Sequence, residues 1–276
     1  MTLLTRRIPR TGEALPIVGL GTWRVFDVAV PGPETKALVE VLQRFSEAGA
    51  RLIDTSPMYG AAEEALGSLI KEAGVAPPPF LATKVWISGK REGIAQMEAS
   101  FRKLRAKSLD LIQVHNLVDA HTHLETLEEW REAGRVRYTG VTHYLESAFD
   151  DLEKILEEKR PDFVQLNYSL GERAAERRLL PCAARVEAAV IVNRPFGSGD
   201  LFARVRGKPL PPWADEVGCL SWAQYFLKYV LSHPAVTCAI PATGRVDHLL
   251  DNLGGGRPPL PTDVQRRKMA AYFDSL

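Results

Sequence analysis

Short apolar runs alternate with longer amphipathic segments along most of the chain. Eight β-type runs occur, and each is bounded by turn-forming or polar residues: LPIVGLGTW, ARLIDTS, FLATKVW, LDLIQVHN, VRYTGVTHY, FVQLNYS, AAVIVNRPF and VTCAIPAT. Between them, apolar residues recur at i, i+3 and i+4, which predicts helices over 35–48, 62–73, 94–106, 124–133, 148–158 and 221–231. The pattern is therefore a strand followed by a helix, repeated.

This repeat predicts an α/β fold with a closed sheet. Units at a pitch of roughly 25 to 35 residues indicate parallel strands joined by right-handed crossovers, and a (β/α)8 TIM barrel is the natural solution. The chain has 276 residues, so we expect residues 1–276 to form a single barrel domain. An open doubly wound sheet is less favoured, because Gly19-Leu20-Gly21-Thr22-Trp23 lacks a third glycine and a helix of its own.

Polar residues collect at the ends of the predicted strands. These end positions are Thr22, Asp54-Thr55, Lys84, His115-Asn116, Thr142-His143, Gln165 to Asn167, Asn193 and Thr243. Because the carboxyl ends of barrel strands share one face, an active site is expected there. The irregular stretch from Gly197 to Gly218 is a candidate lid over that face, and the proline-rich tail after Gly254 is predicted to end in a helix.

Composition and charge narrow the range of partners. Hydrophobic residues make up 45% and charged residues 25% of the chain, with a formal net charge of +1, which is typical of a globular protein in water. Basic clusters at Arg6-Arg7 and at Arg266-Arg267-Lys268 lie at the two ends and are interpreted as solvated faces. We therefore predict no nucleic-acid partner.

The cysteines and the hydropathy pattern indicate the compartment. Cys182, Cys219 and Cys238 are odd in number and widely spaced, which favours free thiols in a reducing compartment. No apolar segment follows Arg6-Arg7, and none approaches the ~18 residues of a membrane span. We predict a cytoplasmic protein without membrane contact, monomeric by default because a closed barrel leaves no strand edge.

Four of the polar residues have the chemistry of a proton-delivery unit. Tyrosine is a poor acid at neutral pH, with a reference pKa near ~10, but a buried ammonium beside it favours the tyrosinate and lowers that pKa. Lys84 is the candidate cation for Tyr59, and Asp54 is the candidate partner that keeps the lysine charged and oriented. His115 is placed to polarise the same carbonyl oxygen. Taken singly, Asp54 and Lys84 could instead form a structural ion pair.

One rival motif suggests a metal. His121-Thr-His123 has the H-x-H form that metal-dependent hydrolases use on the same barrel. In those enzymes the pair lies at a strand end, whereas here it opens the segment that leads into the helix LETLEEW. We therefore interpret both histidines as solvated loop or helix-start residues and predict no metal.

The motifs together resemble those of the aldo-keto reductase family. The resemblance runs from GLGTW to Asn252, and its specific parts are DTSPMYG with the downstream Gly67, TKVW and QVHN. It implies NAD(P)H-dependent reduction of aldehyde or ketone carbonyls, reversible on the alcohols. Tyr59 would be the general acid, Lys84 and Asp54 its activating pair, and His115 the group that orients the carbonyl. Trp23, Trp86 and His115 would line the substrate pocket.

The resemblance also implies a cofactor site across the barrel mouth. Gly21, Thr22 and Trp23 would border the nicotinamide, Gln165 would contact the carboxamide, and the GSGDL stretch would hold the pyrophosphate. The full predicted cofactor set is Gly21, Thr22, Trp23, Asp54, Thr142, His143, Gln165, Asn193, Arg194, Phe196, Gly197, Ser198, Gly199, Leu201, Thr243, Arg245, His248 and Asn252. NADPH is the favoured cofactor, with NADH as the alternative.

Several positions depart from the family pattern. Thr142-His143 replaces a serine-asparagine pair, and Asn193 replaces an aromatic ring under the nicotinamide. Ala242 and His248 stand where phosphate-specific relatives carry lysine and arginine, which leaves Arg245 to meet a 2′-phosphate. A nucleotide-sensing regulatory protein on the same fold is the alternative function. The intact catalytic tetrad favours the enzyme.

Overall fold

A computed structural model of the chain describes residues 2–276. A short hairpin comes first and eight barrel strands follow it. In chain order the strands are β1 (Thr5–Arg7), β2 (Ala14–Pro16), β3 (Leu20–Gly21), β4 (Leu52–Asp54), β5 (Phe80–Val85), β6 (Leu109–His115), β7 (Val136–His143), β8 (Phe163–Asn167), β9 (Ala189–Asn193) and β10 (Val236–Ala239).

The eight strands from β3 to β10 form a parallel barrel. Each strand pairs with the next one along the chain, and every predicted run contains one of them. Bridges from Val18 to Ala239 and from Gly21 to Ala242 join the first strand to the last. The bond from the Gly19 N–H to the Ala239 carbonyl, 2.8 Å, belongs to this seam. The predicted (β/α)8 barrel is confirmed.

Helices surround the barrel. They are α1 (Thr35–Glu47), α2 (Ala62–Ala73), α3 (Lys90–Leu104), α4 (Ala120–Glu132), α5 (Phe149–Lys159), α6 (Leu179–Arg185), α7 (Asp200–Arg204), α8 (Trp222–Leu231), α9 (Val246–Gly255) and α10 (Asp263–Asp274). The helix after the proline-rich tail is α10, and a capping box of Thr262 with Gln265 sets its start. α3 and α4 begin four residues earlier than predicted, because their first turns are polar and carry little apolar periodicity.

The β1–β2 hairpin is not predicted from the sequence. Its strands are three residues long, too short for a period-2 pattern to stand out. Ile8 and Leu15 bury completely against Phe80 and Phe163 inside the barrel. The hairpin thereby fills the interior at the amino-terminal end of the strands and leaves the carboxyl end for chemistry.

Two basic residues are less solvated than predicted. Arg6 is half-buried and donates to the His233 carbonyl at 2.5 Å. Arg266 is buried and pairs with Glu176 at 2.7 Å and with the Tyr168 hydroxyl at 2.6 Å. The interpretation of both basic clusters as solvated faces is therefore wrong for these members, which attach the two ends of the chain to the barrel.

Part of the segment from Gly197 to Gly218 packs against helices on the outside of the barrel. Arg204 donates to the Phe273 carbonyl of α10 at 3.0 Å, and the Trp222 indole of α8 donates to the Lys208 carbonyl at 2.9 Å. The Trp213 ring lies 6.1 Å from that of Tyr225. These contacts hold residues 204–213 against α8 and α10, and the candidate lid over the mouth stays a prediction.

Burial and helix length bear on the other sequence predictions. Cys182, Cys219 and Cys238 are buried and unpaired, as predicted. Within residues 2–276, no helix combines the length and the apolar character needed to span a bilayer.

Candidate active site

The four predicted catalytic residues come from adjacent strands. Asp54 ends β4, Tyr59 lies in the turn after it, Lys84 is in β5 and His115 ends β6. The Lys84 ammonium is fully buried and donates to Asp54 Oδ2 at 2.6 Å and to the Thr55 carbonyl at 2.8 Å. A buried lysine is tolerated only when such partners compensate for lost water. The barrel therefore holds one oriented cation below its mouth.

Tyr59 and His115 lie above this pair. The Lys84 Nζ atom is 5.1 Å from the centroid of the Tyr59 ring. The Tyr59 and His115 rings meet edge to face with centroids 6.5 Å apart, and Trp86 lies 6.0 Å from His115. Asp54, Tyr59, Lys84 and His115 thus form one cluster, with an indole beside it.

The electrostatics of the cluster differ in part from expectation. Burial alone would lower the pKa of Lys84, but Asp54 and Tyr59 outweigh it and raise that pKa above its usual value. Burial raises the pKa of Tyr59, Asp54 adds to the rise, and Lys84 offsets only part of it. The prediction that Lys84 lowers the pKa of Tyr59 overall is therefore wrong. Tyr59 is a neutral phenol at neutral pH, which is the form that donates a proton.

His115 is a neutral imidazole. Burial, the charge of Lys84 and the neighbouring His143 lower its pKa to about 3. Its Nδ1 atom is buried without a hydrogen-bond partner. A ring in this state polarises a carbonyl oxygen through an N–H dipole and contributes no full charge.

Two amides hold the other oxygen of Asp54. Gln165 in β8 donates to Asp54 Oδ1 at 2.8 Å, and Gln113 in β6 donates to the same atom at 3.2 Å. The Gln165 carbonyl accepts from Thr142 at 3.2 Å and lies 3.5 Å from the Asn193 amide. Gln113 was missed from the sequence. Strand alternation gives the available signal, because residue 113 shares its face with His115.

A groove lies beside the ends of β9 and β10. It contains a cavity of about 350 Å³. The lining residues include Phe196, Phe202, Trp222, Ala242, Thr243, His248, Asp251 and Asn252. Of these, Phe196, Thr243, His248 and Asn252 belong to the predicted cofactor set, whereas Phe202, Trp222, Ala242 and Asp251 do not.

The sequence pattern of one protein family matches nearly the whole chain. The model of the aldo/keto reductase family matches residues 17–268. The chain belongs to the aldo-keto reductase family. The predicted family and the predicted enzyme class, an oxidoreductase, are confirmed.

Other aldo-keto reductases are similar in sequence. Aldo-keto reductase YhdN of Bacillus subtilis (strain 168) is 30% identical over 191 residues, which are 64% of this chain and 57% of that protein. The match thus spans little more than half of the length of YhdN. Methylglyoxal reductase YeaE of Escherichia coli (strain K12) is 29% identical over 246 residues, 87% of this chain and 84% of that protein.

Solved structures of the family share the fold. An aldo-keto reductase from Klebsiella pneumoniae in complex with NADPH superposes with a TM-score of 0.79 at 24% identity, covering 99% of this chain and 96% of that chain. Aldo-keto reductase AKR11C1 from Bacillus halodurans, in the holo form, gives 0.77 at 20% identity over 98% and 96%.

The predicted residues on the first strand of this aldo-keto reductase border the tetrad. Gly21 pairs with Asp54 in the barrel, and the Thr22 hydroxyl donates to the Asp54 carbonyl at 3.0 Å. Trp23 is 47% exposed at the mouth, and the Arg24 guanidinium stacks 4.3 Å from its ring centroid. The second predicted substrate tryptophan, Trp86 in the loop after β5, is 39% exposed.

The turn after β9 has an unusual backbone. Gly197, Ser198 and Gly199 have φ values of 56°, 56° and 103°, and Arg194 has 49°. Such angles favour glycine, so the two glycines allow the tight turn that precedes α7. The Arg194 Nε donates to the Ser198 hydroxyl at 2.9 Å, and Leu201 is buried beneath.

Two residues of the predicted cofactor set already have hydrogen-bond partners within the protein. Arg245 forms a two-pronged ion pair with Asp247, at 2.6 and 3.0 Å, on the exposed rim. His143 accepts at Nδ1 from the Leu145 N–H at 3.1 Å, and its ring stacks on Tyr144. Neither side chain points freely into the groove.

The H-x-H pair lies inside the first turn of α4. His121 is exposed, whereas His123 is buried with Nε2 2.5 Å from the Ile87 carbonyl. Residues two apart on a helix face different directions, so the two rings do not converge. The interpretation of His123 as a solvated residue is wrong, because it packs against Gly93.

Proposed function

We propose that the protein is an NADPH-dependent carbonyl reductase that converts an aldehyde or ketone into the alcohol, and the reverse. The observation that carries this proposal is the buried Lys84–Asp54 pair directly beside the Tyr59 ring. A proton donor backed by a desolvated cation stabilises negative charge as it develops on a carbonyl oxygen. An ion pair with a purely structural role would have no comparable use for a tyrosine ring beside it.

Each residue has a distinct part in the step. The nicotinamide, when bound, supplies the hydride to the carbonyl carbon. Tyr59 gives its phenol proton to the carbonyl oxygen, and Lys84 stabilises the tyrosinate that remains. His115 directs a ring N–H dipole at the same oxygen and orients the substrate. Asp54 keeps Lys84 in place throughout.

The groove residues fit a nicotinamide dinucleotide. Asn167 and Asn193 are register partners on β8 and β9, and each has a buried Oδ1 atom without a hydrogen-bond partner. These acceptors beside Gln165 suit the amide N–H groups of a carboxamide. The aromatic side chains of Phe202 and Trp222 suit the flat face of an adenine. Asn193 thus offers a hydrogen bond where relatives offer a ring.

The preference for NADPH depends on the exposed arginine of the rim. Arg245 would exchange Asp247 for the 2′-phosphate, because a solvated ion pair contributes little and a phosphate offers more charge. Tryptophan fluorescence titrated separately with NADPH and NADH tests this, since Trp23 borders the mouth. Tighter quenching by NADH would contradict the NADPH assignment and leave carbonyl reduction intact.

The substrate is proposed to be a small or medium carbonyl compound with an apolar body. Trp23, Met58, Trp86 and Leu145 expose large apolar surfaces on the loops that follow barrel strands. Such walls favour desolvated aliphatic or aromatic groups. Methylglyoxal, which the name of YeaE specifies, is a useful first test substrate.

The test is a Tyr59→Phe variant. We expect it to quench with the cofactor as the wild type does and to lose about 10²-fold or more of the reduction rate, because the proton donor is gone. Tyr138→Phe is the matched control, since its hydroxyl bonds Thr11 and Glu13 at the opposite end of the barrel. Full activity of Tyr59→Phe would refute the mechanism. Tight cofactor binding without turnover of any carbonyl by the wild type would favour a nucleotide-sensing protein.

We further propose that the chain acts as one barrel domain, as a cytoplasmic monomer. The bridges that join the first barrel strand to the last support a single domain and a monomer, and the three buried thiols support the reducing compartment. Sedimentation of the purified protein would test the oligomeric state, and a dimer would refute that part.

A further inference from the structure

Gln113 is a buried polar side chain that the proposed reaction does not yet use. It lies in the middle of β6, is fully buried, and pairs in register with Lys84 on β5 and with Gly140 on β7. Its side chain points into the barrel, like that of His115 two residues later. The amide therefore lies at the level of the catalytic ion pair, beneath the mouth.

The contacts of Asp54 divide between its two oxygens. Oδ2 accepts only from Lys84, at 2.6 Å, whereas Oδ1 accepts from the amides of Gln165 and Gln113, at 2.8 and 3.2 Å. Two donors on one oxygen fix the plane of the carboxylate and its rotation. They leave the other oxygen directed at the ammonium.

The orientation of the Gln113 amide is determined by Asp54. With Nε2 on the carboxylate, the Oε1 atom is buried and has no hydrogen-bond partner. The reverse orientation would place two oxygens against each other at Asp54, which is worse than one unsatisfied acceptor in a dry interior. A buried amide that keeps one end unsatisfied is thus held by its bond to the catalytic carboxylate.

The neighbouring strand leaves room for this side chain. A Cβ atom on Gly140 would lie 2.9 Å from Gln113 Cγ and 3.1 Å from the Phe163 carbonyl. Any larger residue at position 140 would displace the glutamine. The glycine of β7 and the glutamine of β6 therefore form a matched pair.

We infer that Gln113 is a positioning residue of the proton-delivery site, which orients Asp54 so that a single carboxylate oxygen holds Lys84 beside Tyr59. This inference rests on the proposed carbonyl reduction. The amide N–H also balances part of the negative charge of Asp54, and that charge opposes ionisation of Tyr59. Loss of the amide should make Tyr59 a weaker acid.

The charged and titratable groups around Tyr59 come from four elements. Asp54, Lys84 and His115 face it from β4, β5 and β6. Asp27, from the loop before α1, accepts from the Ala61 N–H at 2.8 Å just beyond the tyrosine. None of these charged or titratable residues is itself replaced in a Gln113 variant, so a change in the pH profile would report on the loss of the amide.

The test compares Gln113→Met with Leu111→Met. Methionine is close to glutamine in length and lacks the donor, and Leu111 is a fully buried, inward-facing residue on the same strand that does not touch Asp54. We expect Gln113→Met to lower kcat roughly tenfold with little change in KM. The pH midpoint of alcohol oxidation should move upward, because the tyrosinate is harder to form. Leu111→Met should keep the wild-type midpoint.

Two further variants guard against misfolding. Gln113→Asn keeps the amide but is one methylene too short to reach Asp54, and Gly140→Ala displaces Gln113 from the other side. Both should reproduce the upward shift. A folded Gln113→Met or Gln113→Asn protein with wild-type kcat and midpoint would overturn the inference.

A readout without turnover separates this inference from the proposed function. Ultraviolet difference titration of the phenol, with a Tyr59→Phe background subtracted, follows Tyr59 in the cofactor-free protein. An upward shift in Gln113→Met supports the inference even if no carbonyl is reduced, whereas an unchanged titration overturns it. Absence of turnover in the wild type would count against the proposed function alone.

Discussion

Replacing Lys84 by methionine should destabilise the protein strongly. Among residues 2–276 the lysine is the only cation within hydrogen-bond reach of Asp54; its side chain is fully buried, and that of Asp54 is 3% exposed. Methionine fills a similar volume, so the change removes charge and leaves packing largely intact. What remains is a buried carboxylate without its counter-ion.

The expected loss of stability in Lys84→Met follows from the surroundings of Asp54. Breaking a buried ion pair on one side typically costs about 3–5 kcal/mol, because the other charge is left uncompensated. Asp54 keeps two amide donors, at 2.8 and 3.2 Å, so we expect the lower end, about 3 kcal/mol. For a domain near this size, that free energy corresponds to a fall in the unfolding midpoint of about 6–12 °C.

The assay is a double-mutant cycle. Thermal unfolding of the wild type, Lys84→Met, Asp54→Asn and the double variant is followed by circular dichroism. We expect the double variant to be more stable than Lys84→Met, because a neutral asparagine needs no counter-ion. All three variants should lose reduction by about 10²-fold or more, since Tyr59 loses its cation or that cation loses its orientation.

Two outcomes of these melts would contradict a desolvated, coupled Asp54–Lys84 pair. If Lys84→Met melted within about 2 °C of the wild type, the pair would not be a desolvated charge pair. Strictly additive effects in the double variant would likewise show that Asp54 and Lys84 do not depend on each other.

Two predictions concern pH. The pKa of His115 in the folded chain is about 3, below its ordinary value, so its contribution to stability is present at neutral pH and is lost as the pH falls towards 3. His115→Gln should therefore reduce the fall in unfolding midpoint on acidification, and an unchanged acid profile would contradict this. Burial raises the pKa of Glu63, although the hydroxyls of Thr83 and Ser100 oppose the rise, so its contribution is present at low pH and is lost as the pH rises. Glu63→Gln should gain stability relative to the wild type with increasing pH, and a constant difference in unfolding midpoint would refute it.

The fold and the tetrad could be predicted from the sequence because both leave local signals. The barrel follows from the alternation of period-2 and period-3.6 segments, each of which is determined within a few residues. The tetrad follows because Asp54, Lys84 and His115 all lie at or near strand ends, and strand ends converge in any parallel barrel. Tyr59 could be placed beside them because it lies in the turn that follows Asp54.

Other features left no local signal. The β1–β2 hairpin is too short to show a period, and the pairing of Arg266 with Glu176 joins residues far apart in the chain. In the sequence, Gln113 is one more polar residue in an apolar run. Its contacts with Asp54 and Gly140 are visible only in the folded protein. Arg245 seemed free for a phosphate, because a carboxylate two residues away does not by itself show that the guanidinium turns towards it.

The order of the eight barrel strands and the residues at their ends follow from the sequence, since local chain geometry fixes these step by step. The direction in which the pKa of Tyr59 shifts, the neutral state of His115 and the division of donors between the two oxygens of Asp54 became visible only in the folded protein. Those properties depend on desolvation and on distances between groups from different strands. They are sums over neighbours that meet only after folding.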